Sequence, residues 1–448
     1  MPLMPIAQAA LDAGWSVLFA APAESAGPVE AGGVPFQSLH NEVPGDDPRR
    51  GQVYGQLAAV PKAEQGFFFS REIFGRLNTT GLLTAAREVV RAWRPDVIVS
   101  DAGECAGGLA AEEAGIGWVR VHPGLSGSDG DGGLAAGVAE LRAELGLPAD
   151  GDGFLRRAPR IAYMPASLDA GHKAASVLRL RDPRYVPPAQ RDPDGPVFVT
   201  LGTEAAGMPF FHDLMQGCID GVEQAGRRCI AVVGRHADPA TFRRATGSSV
   251  TSWVDQGAEL RRASATICHG GSGSVLAALG CAVPMIIIPL FADQPANADA
   301  LASARAALVV DPGPRPREPG DASPPRQLDP QLPARLVQCL GDLYGTEPAG
   351  LAALHAELAA PRRTHGRTRP ARHSPYRCER ARPDAVRPPP AFSSLPIAAR
   401  TRQIVEADAT EPAGPCRPSW SARAWISVIV TAPSAIATAA STSTRPGS

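Results

Sequence analysis

Apolar residues recur at helical spacing from Pro2 to Ala13 (Leu3, Ile6, Ala7, Ala10, Leu11), and Gly14 supplies a natural stop. Trp15 to Ala21 then reads as a short apolar strand, so the chain opens on a helix feeding a strand. Helical stretches from Leu82 to Trp93 and from Glu104 to Ala114 alternate with strands from Val97 to Ser100 and from Trp118 to His122. Such alternation predicts an α/β protein, with parallel sheets covered by helices. The pattern breaks at Arg181 to Gly195, R-D-P-R-Y-V-P-P-A-Q-R-D-P-D-G, which has no periodicity and reads as a linker. A second alternating half follows. Its strands are expected near Val197 to Leu201, Cys229 to Val233, Val250 to Trp253, Ala265 to Cys268, Pro284 to Pro289 and Ala307 to Val310. A Pro-rich loop from Pro312 to Pro325 precedes helices around Leu332 to Leu343 and Gly350 to Ala359.

After Ala360 the periodicity disappears and Arg, Pro, Ser and Thr dominate; Ile426 to Val430 is the only strand-like run. Too little buriable surface remains there to offset chain entropy, so the segment is expected to stay disordered. Its abrupt onset fits a natural tail or a shifted reading frame, and the shifted frame is the favoured of the two. The chain thus divides into 1–180, a linker 181–195, a second domain 196–360 and a tail 361–448.

Composition narrows the class. A chain of 448 residues exceeds one ordinary core. A formal net charge of -1 gives no reason to expect nucleic acid or anionic lipid as a partner. The eight cysteines are scattered, without C-x-x-C or zinc spacing, which fits a reduced cytoplasmic setting and no metal. No apolar run reaches the roughly 18 residues of a membrane span, and no secretory signal is evident at the N-terminus.

The candidate chemistry lies between Trp253 and Gln294. His269-Gly270-Gly271-Ser272-Gly273-Ser274 falls where a strand hands over to a helix. Glycines admit an anion close to the backbone, and the helix-start N–H groups point at it. The helix end is worth roughly 0.3–1 kcal/mol to an anion, and each charge-assisted hydrogen bond ~1.5–3 kcal/mol more. The alternative is a plain Gly-rich turn with a capping Ser. Asp293-Gln294 follows an apolar strand; a carboxylate beside a carboxamide suits adjacent sugar hydroxyls, or else Asp293 is the N-cap ahead of Pro295. Trp253 could stack on a nucleobase with Gln256 nearby, or be core. The conjunction decides: all three groups fall at the C-terminal ends of successive expected strands, where open parallel sheets bind ligands.

W-V-D-Q, H-G-G-S-G-S and D-Q-P-A-N-A, together with V-F-V-T-L-G-T from Val197 to Thr203, resemble the donor signature of GT-B nucleotide-sugar-dependent glycosyltransferases of family 1, the UDP-glycosyltransferase-like natural-product type. The resemblance covers about residues 2 to 360 and is strongest from 250 to 310. It implies two Rossmann-like domains facing across a cleft: an N-terminal one for a small hydroxylated acceptor and a C-terminal one for a UDP- or dTDP-sugar, used as co-substrate with no cofactor. It further implies transfer with inversion and no metal. By position, Trp253 would stack on the base with Gln256 near base and ribose. His269, Gly270, Gly271, Ser272, Gly273 and Ser274 would line the diphosphate site, approached by Gly202 and Thr203, and Asp293 and Gln294 would bind the sugar. In W-V-D-Q, Asp255 replaces a Pro usual in many relatives.

The N-terminal half departs further. P-L-M-P-I-A-Q-A-A-L-D-A-G-W-S-V resembles the family's first helix, which relatives precede with a strand and a turn bearing the general-base His. By spacing that His would lie before Met1, and the domain is expected to lack its first strand. Asp101 matches the carboxylate that orients this His, and its alternative role is a helix cap. His40, His122 and His172 are poor substitutes. Two rival readings follow: a non-catalytic homologue that keeps nucleotide-sugar binding, and a nucleotide-sugar 2-epimerase of the same fold.

Overall fold

The computed structural model describes residues 2–44, 47–57, 59–125, 131–149, 153–169, 177–202, 205–313, 329–346, 348–360 and 427–431. They form two sheets. Sheet A holds β1 (Ser16–Ala21), β2 (Phe36–Ser38), β3 (Val97–Asp101), β4 (Gly117–His122), β5 (Arg160–Ala162), β6 (Val177–Arg179) and β13 (Ser427–Thr431). Sheet B holds β7 (Val197–Thr200), β8 (Cys229–Val232), β9 (Ser249–Thr251), β10 (Ala265–Cys268), β11 (Met285–Ile287) and β12 (Ala307–Val309).

Sheet B is wholly parallel, in the order β12-β11-β10-β7-β8-β9. Its strands are continuous apolar runs because helices bury both faces. Along β7, Val197 and Val199 enter one core while Phe198 enters the other. The chain builds outward from β7 to β9, returns to β10 beside β7, and builds outward again to β12. That reversal is a topological switch point, and a crevice opens beyond the strand tips there.

Sheet A follows the order β2-β1-β13-β3-β4-β5-β6, and every pairing is parallel except those of β13. Alternate residues of β3 again divide between two cores, Val97 and Val99 on one side and Ile98 on the other. β13 runs antiparallel to both neighbours, with Val430 opposite Val17 and Ile429 opposite Ile98. The expectation that the tail from 361 stays outside the fold is therefore corrected at these five residues. The strand-like run noted in the sequence fills the position left open between β1 and β3. The physical reason is backbone satisfaction: interior strands lacking a neighbour present a row of N–H and C=O groups that must be paired. The rest of the tail, like Thr203, lies outside the described residues.

Other expectations need smaller adjustments. The first helix is Met4–Asp12, followed by β1 as expected. β9 ends at Thr251, so Trp253 sits on the loop beyond it. The stretch from Glu42 to Phe69 is largely helical (Pro48–Leu57 and Lys62–Phe69) and runs on into a π-helical Ser70–Asn78. The short strands β5 and β6 carried too few residues to show a period.

The stretch 181–195 is packed against its surroundings. Arg191 donates to the carbonyls of Ala263 at 2.6 Å and Ala282 at 3.1 Å, and Tyr185 packs where Gly280 leaves no Cβ. Leu125 and Met164, from the sheet A side, share a core with Val275 and Leu279 of the Ser272–Gly280 helix. Ser167 donates to Glu357 of the Ala349–Ala359 helix through its amide (3.2 Å) and hydroxyl (2.5 Å). Among the described residues no helix is long and apolar enough to cross a membrane.

Candidate functional site

The switch point of sheet B collects most of the singled-out residues. β10 ends at Cys268, and the next three residues turn the chain into the Ser272–Gly280 helix. Gly270 adopts φ +82°, and a Cβ there would sit 2.8 Å from Ile287 Cγ2, so only glycine fits. Gly271 is the N-cap residue and has no side chain to cap with. The first intrahelical bond runs from Val275 N to Gly271 O, which leaves the Ser272, Gly273 and Ser274 amides pointing out of the helix end. Gly273 has open space around its Cβ position, so its identity is not dictated by packing.

The His269 ring is wedged between two backbones. A Cβ at Gly202 would lie 2.6 Å from His269 Nε2, and one at Gly271 would lie 2.4 Å away. Gly202 also takes φ +79°, so the tip of β7 is doubly committed to glycine. Burial pushes the His269 pKa down to about 4, against the opposing pull of the Asp293 carboxylate and the Thr200 backbone. The imidazole is therefore neutral at physiological pH and can serve a ligand only through a hydrogen bond, not through a charge. Cys268, one residue earlier, is pushed up to about 11 by burial and acts as packing.

Asp293 and Gln294 are held by different partners. Gln294 is 4% exposed, and its Oε1 accepts from the amides of Leu290 (2.9 Å) and Phe291 (3.0 Å), stapling the turn that follows β11. Only its amide N–H groups remain for a ligand. Asp293 occupies the N-cap position of the Gln294–Ser303 helix yet makes no side-chain cap there. Instead its Oδ2 accepts from Ser272 Oγ at 2.6 Å and Ser272 N at 3.3 Å, capping the neighbouring helix. Ala292, just before it, is held at φ +56°, a left-handed conformation costing an alanine about 1 kcal/mol. Asn297, one turn into the helix, was quoted within D-Q-P-A-N-A but given no role. Its Nδ2 donates to Gly270 O (2.9 Å), Asp293 Oδ2 (3.0 Å) and Ser272 Oγ (3.2 Å).

Trp253 and Gln256 lie at the far edge. From β10 to β9 is three strand spacings, roughly 14 Å, a span that base, ribose and diphosphate together can bridge. Trp253 is 37% exposed, one of the few large apolar residues on the surface. Asp255, the departure from the family pattern, is the N-cap of the Gln256–Arg262 helix and accepts from Ala258 N at 3.1 Å.

Asp101 belongs to the other sheet, at the tip of β3. It does not cap the next helix: its Oδ1 accepts from Gly103 N at 3.1 Å, and Glu104 accepts from Gly107 N instead. It stands beside β13, where the resemblance places the family's first strand. Among the described residues no cluster of His, Cys, Asp and Glu could hold a metal ion.

This geometry defines a class: a doubly wound α/β unit whose crevice presents a helix N-terminus between glycine tips. Comparison with known proteins makes it specific. Residues 194–313 match the family model described as UDP-glucoronosyl and UDP-glucosyl transferase. Among curated relatives, the L-demethylnoviosyl transferase of Streptomyces niveus is 32% identical over 243 residues, 51% of this chain and 61% of that protein. The elloramycin glycosyltransferase of Streptomyces olivaceus is 30% identical over 244 residues, 51% of this chain and 60% of that one. The chain thus spans about 60% of the length of these relatives. Solved structures include a spinosyn rhamnosyltransferase with thymidine diphosphate, TM-score 0.61 at 18% identity, covering 80% of this chain and 92% of that one. The glycosyltransferase SsfS6 of Streptomyces sp. SF2575, also with thymidine diphosphate, has TM-score 0.58 at 22% identity, with coverages of 80% and 92%. The fold is GT-B, and the match to the UDP-glucoronosyl and UDP-glucosyl transferase model falls on the part of the chain that carries sheet B.

Proposed function

We propose that the chain is a hexosyltransferase that moves a sugar from a UDP- or dTDP-sugar to a hydroxyl of a small, lipophilic natural-product acceptor, with inversion. The observation that carries this reading is the switch-point crevice, where outward-pointing amides, a neutral His269 and the glycine tips at 202 and 270–271 converge. In this reading the acceptor oxygen attacks the anomeric carbon from the face opposite the diphosphate. As that bond forms, the bond to the diphosphate oxygen breaks, its electrons remain on the leaving group, and the acceptor hydroxyl gives up its proton to solvent water. The Ser272, Gly273 and Ser274 amides receive the growing negative charge through the helix end. Trp253 stacks on the base with Gln256 beside it, and the Gln294 amide donates to a sugar hydroxyl. The thymidine diphosphate held by two of the structural neighbours supports a dTDP or UDP donor here.

A second reading, nucleotide-sugar binding without transfer, is favoured by one observation. β13 fills the sheet position beside Asp101 that the resemblance gives to the strand leading into the general base. Losing a positioned base typically costs ~10²–10⁴-fold in rate. Calorimetry with UDP and dTDP, followed by product analysis with nucleotide-sugar and an acceptor panel, separates the readings. Binding with transfer supports the enzyme, binding alone supports the second reading, and no binding removes both. A changed sugar in the absence of acceptor would indicate an epimerase instead.

A further inference from the structure

Asp293 is an anion already seated on the helix end where the donor's diphosphate is proposed to lie. Its Oδ2 takes three donors, Ser272 Oγ at 2.6 Å, Asn297 Nδ2 at 3.0 Å and Ser272 N at 3.3 Å. The Ser272 amide is one of the groups that open toward the crevice. Asn297 fixes the geometry from below: it is 1% exposed, bonds Gly270 O and Ser272 Oγ as well, and keeps its Oδ1 buried without a partner. Buried polar groups without partners are uncommon, so Asn297 is held in this place at some cost.

We propose that Asp293 acts as an internal stand-in for a donor phosphate, and that this makes the site prefer sugar-bearing nucleotides to the spent nucleoside diphosphate. The inference rests on the nucleotide-sugar reading above. A diphosphate entering the helix end meets the Asp293 charge on Ser272 and must displace it. The displaced carboxylate then needs new donors. A nucleotide-sugar brings sugar hydroxyls beyond its β-phosphate, whereas a nucleoside diphosphate ends there and carries hydroxyls only on the ribose at its other end. Once the sugar has left with the acceptor, Asp293 returns to Ser272 and helps expel the product. Asn297 is the positioning residue of this exchange: four residues on along the same helix, it holds the carboxylate within reach of both locations.

The test is calorimetric titration of the full chain with UDP, dTDP, UDP-glucose and dTDP-glucose, in the wild type and in Asp293→Ala, Asp293→Asn and Asn297→Ala. Melting curves confirm that each variant is folded. Wild type is expected to bind the better sugar-bearing probe about tenfold more tightly than its nucleoside diphosphate, the size of one charge-assisted hydrogen bond. Asp293→Ala is expected to tighten the nucleoside diphosphate about tenfold and weaken the sugar form, inverting the order. Asn297→Ala should narrow the gap without inverting it. Unchanged or weaker diphosphate binding in both folded Asp293 variants overturns the inference and leaves the donor reading standing. A gain that vanishes in about 0.5 M salt assigns the effect to long-range repulsion and overturns it too. Failure of wild type to bind any of the four probes removes the donor reading itself, and this inference with it.

Discussion

The two sheets meet the same junction in opposite ways. In sheet B the strands flanking the reversal, β7 and β10, pair directly, and the crevice beyond their tips is lined by backbone amides and glycines. In sheet A the corresponding strands, β1 and β3, do not touch, because β13 lies between them and runs the other way. One junction is completed by contiguous chain, from Val197 to Val309; the other depends on a strand more than 300 residues from its nearer neighbour β3. The comparison teaches where each half is vulnerable. Sheet B can be disabled at single atoms near His269, whereas sheet A can be disabled by removing one strand.

Deleting residues 427–431 tests this contrast at its largest. It exposes backbone on both β1 and β3, and the loss on sheet A is expected to be on the order of 5 kcal/mol. Chemical denaturation should show an early transition for sheet A, while nucleotide still stabilises sheet B; a single unchanged transition would erase the contrast. Next come Gly202→Val and Gly271→Val, which drive a side chain into the His269 ring and should cost roughly 2–4 kcal/mol. Gly273→Ala is the matched control, expected within about 0.5 kcal/mol of wild type because its surroundings are open. Equal effects at 271 and 273, read from melting midpoints, would show that the turn is not tightly packed.

His269 predicts a pH dependence. Its pKa falls from 6.5 to about 4 on folding, so between those values the unfolded chain binds more protons than the native one. This contribution is therefore complete above pH 6.5 and declines as pH falls toward 4, by at most about 3 kcal/mol. Denaturation midpoints across that window should flatten in His269→Gln; an unchanged slope would show the imidazole to be hydrated. The smallest stability effect is expected for Trp253→Ala, near zero for a residue 37% exposed. Nucleotide affinity should nevertheless drop about tenfold if the indole stacks on the base.

Much of sheet B was legible in the sequence because its strands are short apolar runs punctuated by Gly, Pro and Asp. Ala265 to Cys268 emerges with the expected bounds, and the glycine turn follows it directly. What escaped was partnership. No local pattern says that Asp293 caps the helix at Ser272 rather than its own, or that Gln294 spends its carbonyl oxygen on Leu290 and Phe291. Those choices depend on how two helices lie together. Asn297 could have been suspected, since a buried Asn one turn after an Asp must bond something. In sheet A the run from Ile426 to Val430 was noticed, but its place was not. A strand's neighbours are set by which edges stand open, a property of the folded sheet and not of the five residues themselves.

The remote origin of β13 also bears on how the molecule assembles. Everything sheet B needs for its strands has been synthesised by Val309, whereas sheet A waits for Thr431 to leave the ribosome. Emerging chains usually mature from the amino end onward. Here the half made first is closed last, and during that delay β1 and β3 offer two open edges to any extended peptide in the surroundings.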